Sequence, residues 1–182
     1  MTFAPAPTVR SLSLALACVF GGSAFAGWAP SGAFVQAGGG ENHLASATLG
    51  AFWPWDWKTD VFGGQASGYW EGSITHISAR GTSGRNTFTQ IAAVPMLRYT
   101  FDGGRSPWFV EAGIGFTLTD RIYRTDKKAF STTFNFSDNL VVGRSLGKGC
   151  EISLRLQHVS NASIKRPNPG ENFLQARYTF SY

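Results

Sequence analysis

His158 and Ser160 stand two positions apart in the stretch Ile152, Leu154, Leu156, His158, Ser160, which shares one face if the chain runs as a strand. Two positions along a strand are about 6.6 Å, close enough for an imidazole and a hydroxyl to lean into hydrogen-bond contact. Such a pair can act as the general base and the nucleophile of acyl transfer, the imidazole taking the hydroxyl proton as the oxygen attacks a carbonyl. Polar pairs at strand ends also serve simply to hydrogen-bond at a membrane interface, so the surrounding elements must decide between the two. Other chemistries find little support. The chain has no Gly-x-Ser-x-Gly, no His-Glu-x-x-His, no phosphate loop and no dinucleotide fingerprint. His43 and His76 lie alone in strand-like segments and read as structural, and Gly38-Gly39-Gly40 reads as a hairpin turn.

The elements follow from composition and pattern. A length of 182 residues allows one domain. Charged residues are 15% of the chain, against about 25% in an ordinary soluble domain. With 43% apolar residues and 22 glycines, neither disorder nor a highly charged soluble helical protein fits. The net charge of +5 comes without a dense Lys/Arg run, which argues for an anionic partner and against nucleic acid. Arg10, the apolar stretch Leu12 to Phe20 and Ala24-Phe25-Ala26 read as a signal peptide over residues 1–26, cleaved after Ala26 in preference to a lipoprotein signal at Cys18. Cys150 is then the sole cysteine of the domain 27–182, which removes internal disulfides and zinc held by paired cysteines.

No later segment approaches the about 18 unbroken apolar residues of a membrane helix, whereas several alternate every second residue. In Trp108–Thr117 one face carries Trp, Val, Ala, Ile and Phe and the other Phe, Glu, Gly, Gly and Thr, the second suited to a narrow barrel interior. Ala66 to Thr75 and Leu174 to Tyr182 divide in the same way. Turn residues delimit strands at Gly32–Gly38, His43–Trp53, Gln65–Ser78, Phe88–Phe101, Trp108–Thr117, Thr133–Gly143, Glu151–Val159 and Phe173–Tyr182. Eight is an even number, as antiparallel closure requires. The fold expected is all-β, an eight-stranded antiparallel transmembrane β-barrel of the bacterial outer membrane, in preference to a soluble barrel with the same interior pattern. Asp102–Arg105 and Ser145–Gly149 become periplasmic turns, Asp120–Thr132 and Asn161–Asn172 external loops, and Trp53, Trp55, Trp57 and Trp70 part of an aromatic girdle. If Ile152, Leu154 and Leu156 face lipid, so do His158 and Ser160, and their substrate lies in the outer leaflet.

The segment His158-Val159-Ser160-Asn161-Ala162-Ser163-Ile164-Lys165-Arg166-Pro167-Asn168-Pro169-Gly170 strongly resembles the active-site segment of the lipid A 3-O-deacylase (PagL) family. Gly68-Tyr69-Trp70-Glu71, Phe109 to Gly115 and Asn135-Phe136-Ser137-Asp138 resemble further landmarks of that family. The resemblance implies a cofactor-free and metal-free serine hydrolase that removes the acyl chain ester-linked at position 3 of lipid A. It makes Ser160 the nucleophile, His158 the base and Asn161 an oxyanion-hole donor. Ser163 replaces a common glycine. Family members place a glutamate fourteen residues after the histidine, where this chain has Asn172 and carries Glu171 one position early. In a regular strand Asn172 would share the face of Leu174 and Ala176, and only a bulge at Gly170 would turn Glu171 outward. We expect Glu171 to be the third catalytic member, because a carboxylate both orients an imidazole and stabilises its charged form, with Asn172 as the alternative orienter. Lys165 and Arg166 either meet lipid A phosphates or form an ordinary solvated rim, and Arg121, Arg124, Lys127 and Lys128 add to the same field. The partners implied are lipopolysaccharide as substrate and the outer membrane, with no nucleic acid; a homodimer is compatible. The competing functions are a non-catalytic structural or adhesive barrel and a lipid A acyltransferase.

Overall fold

In the computed structural model, which describes residues 29–41 and 43–182, eight antiparallel strands close into a ring. They are β1 (Gly32–Gly40), β2 (Leu44–Val61), β3 (Gly64–Gly81), β4 (Gly84–Thr100), β5 (Trp108–Thr119), β6 (Phe134–Gly147), β7 (Cys150–Ser160) and β8 (Glu171–Ser181). Each pairs with the next, and β8 returns to β1. The leader read over residues 1–26 lies outside the described residues. Closure leaves no unpaired sheet edge, the condition under which strands can cross hydrocarbon. The period-2 alternation survives nearly intact: Leu49, Ile74, Ile91, Ile114, Leu140, Leu154 and Leu174 are exposed on the outer wall, while the residues beside them turn inward.

Paired polar residues cross the interior beside an apolar cluster of Val94, Met96, Phe109 and Val141. Glu71 accepts both guanidinium nitrogens of Arg155 at 2.8 and 2.7 Å, and both of Arg177 at 2.8 and 3.1 Å. Nearer the turn end, Arg98 bridges Glu111 at 2.6 Å and Glu151 at 2.7 Å, and Tyr69 donates to Glu111 at 2.9 Å. These groups come from five strands, so the charges tie opposite walls together.

The strands differ from expectation at their ends. β2, β3 and β4 run to 18, 18 and 17 residues, well beyond the about 9–11 that cross a bilayer, and the β3–β4 turn is only Thr82-Ser83. Gly38-Gly39-Gly40 is not the hairpin turn; it lies within β1. Side chains at Gly38 and Gly40 would strike the backbone oxygens of Leu174 and Asn172, so the glycines serve close strand approach. His43, with φ 53°, belongs to the turn rather than to a strand. Of the four tryptophans expected to form part of an aromatic girdle, Trp57 and Trp70 are exposed, whereas Trp53 and Trp55 are half-buried.

A cap closes the loop end. Residues 120–133, between β5 and β6, fold back through an Arg124–Ala129 bridge. They place Tyr123 and Phe130 in an apolar cluster with Leu44, Ile77, Ala79, Phe88, Val159 and Phe173. The cap is pinned to the β3–β4 hairpin by Asp126 N–H to the Arg80 carbonyl at 3.0 Å, and by the Asn86 amide to the Arg124 carbonyl at 2.9 Å.

Candidate active site

At the loop end of β7, register places His158 between Asp138 of β6 and Asn172 of β8, and Ser160 opposite Phe136. Leu156, Leu140 and Leu174, one rung below, are exposed on the outer wall, and His158 and Ser160 continue that face half-buried. Val159 and Asn161 point the other way and are buried. Strand alternation thus brings the imidazole and the hydroxyl to one outward row, as their parity implied.

The group that meets the imidazole is Asn172. His158 Nδ1 lies 2.7 Å from Asn172 Oδ1; since an amide oxygen can only accept, Nδ1 carries the hydrogen and Nε2 is left as the basic nitrogen. Gly170 shapes the space around the ring. A methyl group there would stand 2.6 Å from Cε1 and 3.2 Å from Nε2, and φ at Gly170 is +65°, which favours glycine independently.

The structure places Glu171 away from the imidazole, against the expectation of a catalytic contact. β8 is already regular at this residue, which pairs with Val159 and is 1% exposed on the inner side. Gly170 absorbs its left-handed turn before the strand begins, so the chain is not bulged in a way that turns Glu171 outward. The carboxylate instead accepts from Tyr123 Oη at 2.9 Å and Lys128 Nζ at 3.1 Å, and Lys128 also reaches Glu41 at 3.0 Å. Burial, reinforced by the neighbouring Glu171 carboxylate, raises the Tyr123 phenol above its ordinary range. Burial pulls Lys128 down, but its hydrogen bonds to Glu41 and Glu171 outweigh that and raise it overall. Glu171 therefore fastens the cap. Its Oε1 also accepts from the Asn172 backbone N–H at 3.3 Å.

Asn161 likewise lies away from the outward row. Its side-chain amide donates to Ser131 Oγ at 3.0 Å, Thr132 Oγ1 at 3.2 Å and the Lys165 carbonyl at 2.8 Å, and its backbone N–H goes to Asn168 Oδ1 at 3.0 Å. Buried and engaged in those bonds, it staples the two loops, and none of them directs a donor of Asn161 toward Ser160 Oγ, where an oxyanion-hole donor was expected. The Ala162 N–H donates to Ser160 Oγ at 3.5 Å, in a turn where Ala162 and Ser163 have φ of 51° and 62°. The Lys165 and Arg166 side chains are exposed, and among the described residues neither enters an ion pair.

Apolar surface adjoins the pair. Phe116, Phe134 and Phe136 pack with ring centroids 5.5 to 5.8 Å apart beside Ser160. Below runs a gutter lined by Leu97, Val110, Leu140, Val142, Leu154 and Leu156. Among the described residues no group of three or more His, Cys, Asp or Glu side chains is placed to hold a metal ion. A hydroxyl and an oriented imidazole above an apolar gutter can transfer an acyl group from a lipid ester. Tyr123 and Lys128, the partners of Glu171, were missed as such from sequence: they lie 48 and 43 residues away, with no local signal linking them.

A family model described as "Lipid A 3-O-deacylase (PagL)" matches residues 44–181. Two similar curated proteins are both named "Lipid A deacylase PagL". The one from Bordetella bronchiseptica is 39% identical over 93 residues, 51% of this chain and 50% of the relative, so the match spans about half the relative's length. The one from Pseudomonas aeruginosa is 31% identical over 125 residues, 67% of this chain and 69% of the relative. A solved structure titled "Crystal structure of the outer membrane enzyme PagL" superposes with a TM-score of 0.72 at 25% identity, covering 83% of this chain and 99% of that one.

Proposed function

The chain belongs to the lipid A 3-O-deacylase (PagL) family, and from that premise we propose that it hydrolyses the acyl ester at position 3 of lipid A in the outer leaflet of the outer membrane, with Ser160 as nucleophile. The loop end faces outward, and the acyl chain lies in the gutter of Leu140, Leu154 and Leu156 while the ester reaches Ser160. His158 Nε2 takes the Ser160 proton as Oγ attacks the ester carbonyl. The negative oxygen that forms lies near the Ala162 N–H, which donates to Oγ before the attack. Collapse breaks the bond to the sugar oxygen, which receives the proton from His158 and leaves as a hydroxyl. A water, deprotonated by the same nitrogen, then releases the fatty acid and restores Ser160.

Asn172 orients the imidazole, but a neutral amide does not stabilise the imidazolium as a carboxylate would. The observation that carries this reading is the 2.7 Å contact between His158 and Asn172, on the outer wall directly above apolar surface. Its test is the mass of lipid A from cells expressing the wild type and Ser160→Ala. Loss of one ester-linked acyl chain with the wild type alone supports hydrolysis. Unchanged mass in both favours the structural or adhesive barrel, and a gained chain favours the acyltransferase.

Lys165 and Arg166 are exposed in the loop that follows Ser160 and are assigned to the phosphates of the same substrate. Export by residues 1–26, leaving a domain of 27–182, belongs to the same proposal, and amino-terminal sequencing of the membrane form checks it. The homodimer rests only on the broad exposed apolar wall, and sedimentation in detergent decides it.

A further inference from the structure

On the opposite side of the ring from the catalytic row, the β3–β4 hairpin sets two arginines face to face. Arg80 and Arg85 are direct cross-strand partners just below the Thr82-Ser83 turn. Like charges directly opposite destabilise a strand pair, so the arrangement works against the fold that holds it. Arg85 is held firmly: Nε donates to Ser78 Oγ at 2.7 Å, and Nη2 to the Ser78 carbonyl at 2.8 Å and the His43 carbonyl at 3.0 Å. Among the described residues Nη1 makes no hydrogen bond and can take another acceptor.

Among the described residues neither Arg80 nor Arg85 enters an ion pair, whereas Arg98, Arg105, Arg121, Arg155 and Arg177 all bond carboxylates. Together with His43 and the turn Gly81-Thr82-Ser83-Gly84 the two arginines line a shallow concavity whose wall holds no carboxylate among the described residues. The cap brings Arg124 and Asp126 alongside, but Asp126 binds Arg80 through its backbone N–H, and its carboxylate makes no ion pair among the described residues.

We propose that this concavity is a phosphate-binding site, in which Arg80 and Arg85 hold a phosphoryl group with the Thr82 and Ser83 hydroxyls at hand. β3 and β4 lie four and three strands from β7 around the eight-stranded ring, so a glycolipid bound here is a different molecule from the one being cleaved at Ser160. The ligand is a phosphorylated glycolipid of the surrounding leaflet, docked as a neighbour, or a free phosphate. The lipid source rests on the reading that the loop end faces the outer leaflet; the anion chemistry does not.

The test uses the full chain in a neutral, phosphate-free detergent, with ionic strength held constant by chloride. Thermal unfolding is followed against inorganic phosphate, lipid A and dephosphorylated lipid A, using Ser160→Ala as the background so that substrate persists. Phosphate and lipid A are expected to raise the midpoint. Arg80→Gln, which replaces a side chain that makes no hydrogen bond or ion pair among the described residues, is expected to unfold at a higher midpoint in the absence of phosphate and to need about tenfold more phosphate for half the shift. A shift with lipid A that dephosphorylated lipid A lacks assigns the site to the lipid; a shift with inorganic phosphate and none with lipid A assigns it to the free ion. Equal responses in the background protein and Arg80→Gln, or no response in either, overturn the proposal. Deacylation by Arg80→Gln with Ser160 intact is expected to match the wild type in micelles, so loss of the anion site and loss of the hydrolase are read separately.

Discussion

His158 and Asn172 face each other across the β7–β8 ladder, Nδ1 to Oδ1 at 2.7 Å, while the carboxylate one residue earlier points into the barrel. The imidazole is thus aligned by a group that carries no charge. Asn172→Ala removes the alignment and should lower kcat about 10- to 100-fold, part of what general base catalysis contributes. Asn172→Glu keeps the acceptor and adds a charge facing the imidazolium, so it should raise kcat above wild type. Release of fatty acid from lipid A micelles measures both, and a gain with Asn172→Ala would reverse the argument.

Gly170 leaves room for the ring. In Gly170→Ala the new methyl would stand 2.6 Å from His158 Cε1, so the imidazole must shift. A displacement near 1 Å costs on the order of 100-fold in rate. The left-handed backbone adds a stability loss of about 1–2 kcal/mol. Activity and the urea midpoint should therefore both fall, activity far more steeply.

Glu171→Gln separates fastening from catalysis. With its carboxylate bound to Tyr123 and Lys128 inside the cap, the change should cost about 1–3 kcal/mol of local stability. Faster proteolysis within residues 120–133 reads that loss. The kcat should stay within about threefold of wild type, since unlike Asn172 this side chain does not touch the imidazole.

Glu71→Ala strips the buried carboxylate that both Arg155 and Arg177 share. Leaving buried charge unpaired costs about 3–5 kcal/mol, so the urea midpoint should drop sharply or the barrel should fail to assemble. Adding Arg155→Met and Arg177→Met to Glu71→Ala should recover part of the loss. No recovery would mean that the cluster is not an electrostatic unit.

Much of the architecture was readable because a closed sheet with lipid outside and paired polar groups inside imposes a strict two-residue period. Ile152 to Ser160 and Trp108 to Thr117 displayed it directly. The same period places Asn172 outward and Glu171 inward, against the chemical preference for a carboxylate beside the imidazole, and register prevailed because β8 is regular from its first residue. Asn161 is turned away by the same alternation: adjacent to Ser160 in the motif, its side chain falls on the opposite face. Gly38 to Gly40 mimicked a turn because close approach of β8 demands the same small residue as a tight bend. The binding of Tyr123 and Lys128 to Glu171 is a product of loop folding over dozens of residues, which no local pattern encodes.

The knot of Glu71, Arg155 and Arg177, sealed above by Tyr123 and Phe130, has a consequence for the cell that carries this protein. With its bore crossed by that knot and closed over by the cap, the cylinder is no conduit. It can be inserted in many copies without admitting detergents, antibiotics or other solutes, and remodelling of the surface need not compromise the envelope as a permeability barrier.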